Sequence, residues 1–227
     1  MLTAAVFIVN GAVYLAAASA LGLPGFPLGW MGVSTVWVGL SYAMGRPAMA
    51  GKRADGGFTP WAIAIAGPVL FLVWLAWGLR RLRSERCWDE VRPGLFLGRR
   101  ALPAELPPGI RLVADLTCEL SEPIALRRLE YRCLPTLDGG APEREAFVRL
   151  VREIAAFDGP VYVHCAAGHG RSATVVLAVL LARGAAKDVA AAEEIVRTAR
   201  PGMLLSRAQR ALLRETAAEL SPVAAAA

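Results

Sequence analysis

An α/β catalytic domain preceded by a helical membrane region is the fold class that the sequence predicts, and three observations predict it. Residues 1–86 hold three long uncharged apolar runs. Residues 87–220 alternate short apolar strand signals with helical periodicity. Between one such strand and one such helix lies a glycine-containing loop around Cys165.

The apolar runs come first. Leu2 to Leu23 carries no charge and is long enough to cross a hydrocarbon core of roughly 30 Å as a helix. Leu23-Pro24-Gly25-Phe26-Pro27 reads as a tight turn into a second run, Leu28 to Gly45, and Pro60 to Leu79 is the third. No basic n-region precedes the first run and more apolar sequence follows it, which opposes a cleaved signal peptide. Trp74 and Trp77 near the end of the third run read as interfacial anchors. We therefore expect spans near residues 2–23, 28–45 and 60–79.

Charge is partitioned the same way. Residues 1–86 carry seven Lys/Arg against two acids, whereas residues 87–227 carry eighteen against seventeen, so the basic excess belongs to the membrane half. That placement opposes nucleic acid as a partner and leaves the bilayer as one. Four arginines between Arg80 and Arg86 outnumber the three basic residues of the loop from Arg46 to Phe58, which favours a cytoplasmic second half at an inner or plasma membrane. The four cysteines, Cys87, Cys118, Cys133 and Cys165, all lie in that half without metal-ligand spacing or disulfide density, as suits a reducing compartment.

Within residues 87–220, strands are expected at Leu95–Leu97, Leu112–Leu116, Tyr131–Leu134 and Val161–His164. Phe147, Leu150, Val151 and Ile154 fall on one face of a helix opened by Pro142 and closed near Gly159. A helix from Arg171 to about Arg183 should end at Gly184. Asp188 should cap the next, and Ser206 with Gln209 forms a capping box for the last. Residues 221–227 read as a flexible tail.

The chemistry concentrates in Val161-Tyr162-Val163-His164-Cys165-Ala166-Ala167-Gly168-His169-Gly170-Arg171-Ser172. Small residues at 166, 167, 168 and 170, with His169 between them, let successive backbone N–H groups turn inward, and the following helix adds its positive N-terminal end; both suit a phosphate dianion. Arg171 supplies a planar fork for two phosphate oxygens. The same field favours Cys165 as a thiolate aimed at phosphorus. The only two histidines of the chain, His164 and His169, flank it; His164 reads as a loop-orienting residue, not a metal ligand. Upstream, Asp138 stands in a loop with Pro135, Gly139, Gly140 and Pro142 and is the candidate proton donor to a leaving oxygen. Asp115 and Glu119 read as structural carboxylates.

His-Cys-x5-Arg-Ser after a strand, with an upstream Asp in a Pro-flanked loop, resembles the dual-specificity branch of the cysteine-dependent protein tyrosine phosphatases over about residues 88–216. The resemblance implies a central sheet flanked by helices, with Cys165 as nucleophile, Arg171 and the loop amides as phosphate ligands, and Asp138 as general acid. It further implies that Ser172 donates to the thiolate, and that neither metal nor cofactor is needed. Pro135-Thr136-Leu137-Asp138-Gly139-Gly140-Ala141-Pro142 is similar to the corresponding loop of the members that act on phosphatidylglycerophosphate. Those relatives often carry a basic residue just after the cysteine, where this chain has Ala166 and Ala167. The expected substrate is a phosphorylated lipid or a phosphoprotein. A catalytically weak phospho-binding or scaffold module is the competing class, disfavoured because every residue of the motif is present.

Overall fold

The structure is a computed structural model that describes residues 2–82 and 85–221; the tail expected at residues 221–227 lies, beyond Ser221, outside the described residues. The chain divides into two compact units, one holding the three helices between Leu2 and Arg80 and one holding a sheet and its helices between Trp88 and Leu220.

In the first unit, α1 (Leu2–Leu21), α2 (Phe26–Ala43) and α3 (Pro60–Arg80) occupy the three apolar runs. α1 and α2 form a hairpin that turns at Gly22, whose φ of 61° falls in the left-handed region that only glycine enters freely. Small residues let the two helices approach closely: a Cβ at Gly11 would lie 2.5 Å from Val36. Pro68 lies inside α3 and has no N–H to give the Ala64 carbonyl. That carbonyl instead accepts from Trp30 Nε1 at 2.7 Å, and the Val69 N–H turns to Ser34 Oγ at 3.2 Å. The proline thus becomes the joint between α2 and α3. Two of the three helices, α1 and α3, are long and apolar enough to cross a membrane. α2 buries Ser34, Thr35 and Ser41. Trp77 is buried, with the Arg81 guanidinium 5.1 Å above its ring, so only Trp74 of the two expected anchors is exposed.

The second unit is built on a five-stranded sheet in the order β1-β2-β5-β3-β4, comprising β1 (Trp88–Arg92), β2 (Leu95–Arg99), β3 (Leu112–Thr117), β4 (Glu130–Thr136) and β5 (Val161–Cys165). The β1–β2 hairpin is antiparallel and the other pairs are parallel. β5 and β3 sit centrally and are buried along their whole length, which is why they read as continuous apolar runs. Alternation sorts their side chains. Val161, Val163 and Cys165 join Leu112, Ala114 and Leu116 in the main core, whereas Tyr162 and Val113 join a smaller cluster with Phe96 and Ile110. Pro135, expected in a loop, lies in β4, an edge strand, where a missing N–H costs no central ladder bond.

Besides the one-turn α4 (Ile124–Arg127), four helices follow: α5 (Arg144–Ala156), α6 (Arg171–Ala182), α7 (Val189–Ala199) and α8 (Arg207–Leu220). They supply the helical part of the main core, and α6 is buried on all sides from Arg171 to Leu181. α5 is capped by Glu143, whose carboxylate accepts the Glu145 and Ala146 N–H groups, one residue beyond the proline expected to open it. Asp188 caps α7 and the Ser206–Gln209 box caps α8 as expected.

Candidate active site

β5 ends at Cys165 and α6 begins at Arg171, so Ala166 to Gly170 form the loop between the central strand and the buried helix. Gly168 is fixed by two constraints. Its φ is +78°, and a Cβ there would lie 2.4 Å from the Gly98 carbonyl carbon at the end of β2. The loop consequently packs backbone against backbone, and its Gly168 N–H points to Cys165 Sγ at 3.2 Å.

Cys165 is buried, and the Ser172 hydroxyl donates to its sulfur at 3.3 Å. Burial alone would push the thiol up. The Arg171 charge, the Ser172 hydroxyl and the amides of Ser172 and Gly168 outweigh it and hold Cys165 below the ordinary thiol value. Cys87 shows the contrast: there burial dominates and the thiol is pushed up despite Arg99 and Arg200.

Arg171 is buried at the first position of α6. Its Nη1 donates to the Thr136 carbonyl at 2.8 Å, and its Nη2 lies 3.2 Å from Asp138 Oδ1. Thr136 closes β4, so the edge strand holds the guanidinium from outside the loop. Asp138 is three-quarters exposed at the tip of a turn closed by Gly140 N–H to Leu137 C=O, with Gly139 at a φ of +72°. Gln209 steadies that turn: it completes the capping box of α8 and also donates Nε2 to the Gly140 carbonyl at 2.8 Å. The capping pattern was legible in sequence; the second bond was not.

His164 faces away from Cys165 on the opposite side of β5, stacked on Tyr162 at 5.5 Å between ring centroids. It lies 3.5 Å from Glu122 and 4.0 Å from Asp115, all three fully buried. Three potential ligand atoms thus come within 4.8 Å of one another, a juxtaposition without any spacing signal in the sequence. Of the three, the Asp115 carboxylate is engaged by protein donors on both oxygens. Asp115 accepts Thr117 N–H, Thr117 Oγ1 and Tyr131 OH at 2.7–2.8 Å, and Arg100 Nε lies 3.6 Å from Glu122. Burial foremost, then Asp115, keeps the Tyr131 phenol far above its ordinary range and therefore a donor. This is a buried ion network under the strand that carries the cysteine. Asp115 is structural, as expected; Glu119 opens no helix and accepts the neighbouring Cys118 N–H at 2.9 Å.

The sequence-predicted site residues from Cys165 to Ser172 therefore gather with Asp138 at the C-terminal ends of β5 and β4, whereas His164 points to the opposite face of the sheet. One residue of this region that sequence reasoning missed is Arg200. It is buried and donates to the loop carbonyls of Gly168 at 2.8 Å and Ala167 at 3.2 Å. Nothing in its spacing separates it from the exposed arginines of the same segment.

Comparison with known proteins agrees with this geometry. A family model described as the dual specificity phosphatase catalytic domain matches residues 109–218. Phosphatidylglycerophosphate phosphatase PTPMT2 of Arabidopsis thaliana is 30% identical over 177 residues, covering 71% of this chain and 77% of that protein. Phosphatidylglycerophosphate phosphatase PTPMT1 of the same plant is 32% identical over 165 residues, and there the match spans 65% of this chain and 48% of the relative. Among solved structures, PTPMT1 in complex with PI(5)P superposes with a TM-score of 0.54 at 25% identity, over 62% of this chain and 99% of that one. A human tyrosine phosphatase-like serine/threonine/tyrosine-interacting protein gives 0.53 at 26% identity, over 60% and 98%. A strand-loop-helix cradle that lowers a cysteine thiol, on a sheet of this order and with these relatives, is that of a cysteine-dependent phosphatase, and the chain belongs to the dual specificity phosphatase family, with similarity to its phosphatidylglycerophosphate phosphatases.

Proposed function

We propose that this protein is an integral-membrane enzyme that removes the phosphate monoester from phospholipid headgroups through a phosphocysteine intermediate on Cys165. The observation that carries the chemistry is the buried Cys165 sulfur accepting the Gly168 amide at 3.2 Å and the Ser172 hydroxyl at 3.3 Å at the foot of the helix that Arg171 opens, a setting that favours the thiolate. The phosphate oxygens take the amides of residues 166–170 and the Arg171 fork, and the Cys165 thiolate attacks phosphorus in line as the ester P–O bond breaks. Asp138 gives its proton to the departing oxygen. As a carboxylate it then takes a proton from water, whose oxygen displaces sulfur to release inorganic phosphate, while the Ser172 hydroxyl stabilises the returning thiolate. His164 orients the loop from the far face of β5.

Support for a lipid substrate comes from the two phosphatidylglycerophosphate phosphatases and from the phosphoinositide held by the similar solved structure. The anchor supports it independently. α1 and α3 expose Val6, Val9, Val13, Phe71, Leu72 and Trp74, surfaces that match hydrocarbon better than water. We read α2 as the middle of three spans, its serine and threonine hydroxyls turned inward, so that residues 1–86 form the anchor and residues 87–220 the cytoplasmic phosphatase domain. Tethering holds such a domain at high effective concentration over headgroups.

The deciding experiment compares phosphate release by the full-length protein in detergent from phosphatidylglycerophosphate, phosphoinositides and phosphopeptides. Faster release from lipids is expected. Faster release from phosphopeptides would move the substrate to membrane phosphoproteins.

A further inference from the structure

The connector between α7 and α8 braces the phosphate loop from behind. Arg200, the cap residue after α7, is 2% exposed, and its guanidinium donates through Nε to the Gly168 carbonyl at 2.8 Å and through Nη2 to the Ala167 carbonyl at 3.2 Å. Four residues on, the Leu204 N–H donates to the His169 carbonyl at 3.1 Å. Three successive loop carbonyls are therefore held by one segment. Arg200 is itself anchored on two carboxylates, Asp89 Oδ2 at 2.8 Å from β1 and Glu85 Oε1 at 3.0 Å. That same Glu85 oxygen also meets His169 Nε2 of the loop.

A trans peptide unit points its C=O and the next residue's N–H in opposite directions. Holding the Ala167, Gly168 and His169 carbonyls outward fixes the N–H groups of Gly168, His169 and Gly170 inward. The first of these is seen doing so, since the Gly168 N–H reaches Cys165 Sγ. Oriented amides stabilise charge without reorganising only if something holds them, and the donors of this segment hold three in a row.

We propose that Arg200 is a positioning residue of the phosphatase reaction: by holding the Ala167 and Gly168 carbonyls it aims the Gly168 and His169 amides at the cysteine sulfur and at the transferring phosphoryl group. Asp89 and Glu85 hold Arg200 in register. The inference rests on the phosphatase reading above and adds the group that preorganises its anion cradle.

The test uses the full-length protein in detergent and the variants Arg200→Met and Arg200→Lys. Three readouts are taken: the pH midpoint of Cys165 carboxymethylation by iodoacetate, the dissociation constants of orthovanadate and inorganic phosphate, and kcat and KM for 4-nitrophenyl phosphate. Arg200→Met is expected to move the alkylation midpoint upward and to weaken orthovanadate about 10- to 100-fold, more than it weakens phosphate, because the amides matter most to a trigonal bipyramidal ligand. kcat should fall by a similar factor with a smaller change in KM, and Arg200→Lys should recover part of each. A folded Arg200→Met protein with the wild-type midpoint and the wild-type ratio of vanadate to phosphate affinity overturns the proposal. If that variant does not accumulate, Arg200→Lys decides: wild-type values in all three readouts overturn it, and an upward midpoint with weakened vanadate supports it. Failure of the phosphatase reading shows differently, as a wild-type protein that releases no phosphate while the alkylation midpoints still answer for Arg200.

Discussion

Asp138 Oδ1 lies 3.2 Å from Arg171 Nη2, so the side chain proposed as the general acid is paired with the guanidinium proposed to bind the phosphate. Arg171 is buried and held on its other edge by the Thr136 carbonyl, whereas Asp138 is exposed on a glycine turn. A phosphate entering the loop therefore meets a fixed arginine and a displaceable carboxylate. Asp138→Asn should bind inorganic phosphate slightly tighter, by at most about fivefold, since an ion pair with one exposed partner is worth about 0–1 kcal/mol. The same variant should slow an alkyl phosphate by about 10²–10⁴-fold and an activated aryl phosphate less, because only the poor leaving group needs the proton. Equal rates for both substrates would make Asp138 a turn residue.

Thiol reactivity should separate the cysteines. Cys165 is held below the ordinary thiol value against its own burial, and Cys87 is pushed above it by burial. A lowered thiol is thiolate at lower pH, so iodoacetate near pH 6.5 should label Cys165 well before Cys87, read by peptide mass spectrometry. Equal labelling would count against an activated cysteine.

The parts of this region legible in the sequence are those written in consecutive residues. Cys165 to Ser172 form a loop and a helix start whose chemistry depends on local backbone direction, and β5 and β3 were legible because central parallel strands are apolar on both faces. β1 was missed: Trp88-Asp89-Glu90-Val91-Arg92 is a charged edge strand, half exposed, without an apolar run. Pro135 was placed in a loop because the edge position of β4, which tolerates it, is a property of the sheet and not of the segment. Arg200 and the Asp115–Glu122–His164 network come together only through tertiary packing, and no period or spacing encodes them.

Gly168→Ala tests the loop directly. A Cβ there combines a left-handed φ with a 2.4 Å approach to the Gly98 backbone, so the loop must move away from β2. Displacement of the amides by about 1 Å should lower kcat/KM for an aryl phosphate about 10²-fold. Wild-type kinetics from a folded Gly168→Ala protein would show that the loop is not held by that contact.

Topology is decided by reporter fusions. With three spans and a cytoplasmic second half, alkaline phosphatase fused after Arg86 should be inactive in a bacterial host, and a fusion within residues 46–58 should be active. The reverse pattern would invert the orientation, and activity at both places would remove α3 from the spanning set.

The most direct measurement is phosphate release from phosphatidylglycerophosphate in mixed micelles by the full-length protein and by Cys165→Ser. The loop amides and Arg171 remain in the variant, so it should still bind orthovanadate while releasing no phosphate, and the wild-type protein should turn over. Retained phosphate release by Cys165→Ser would contradict the assignment of Cys165 as the nucleophile.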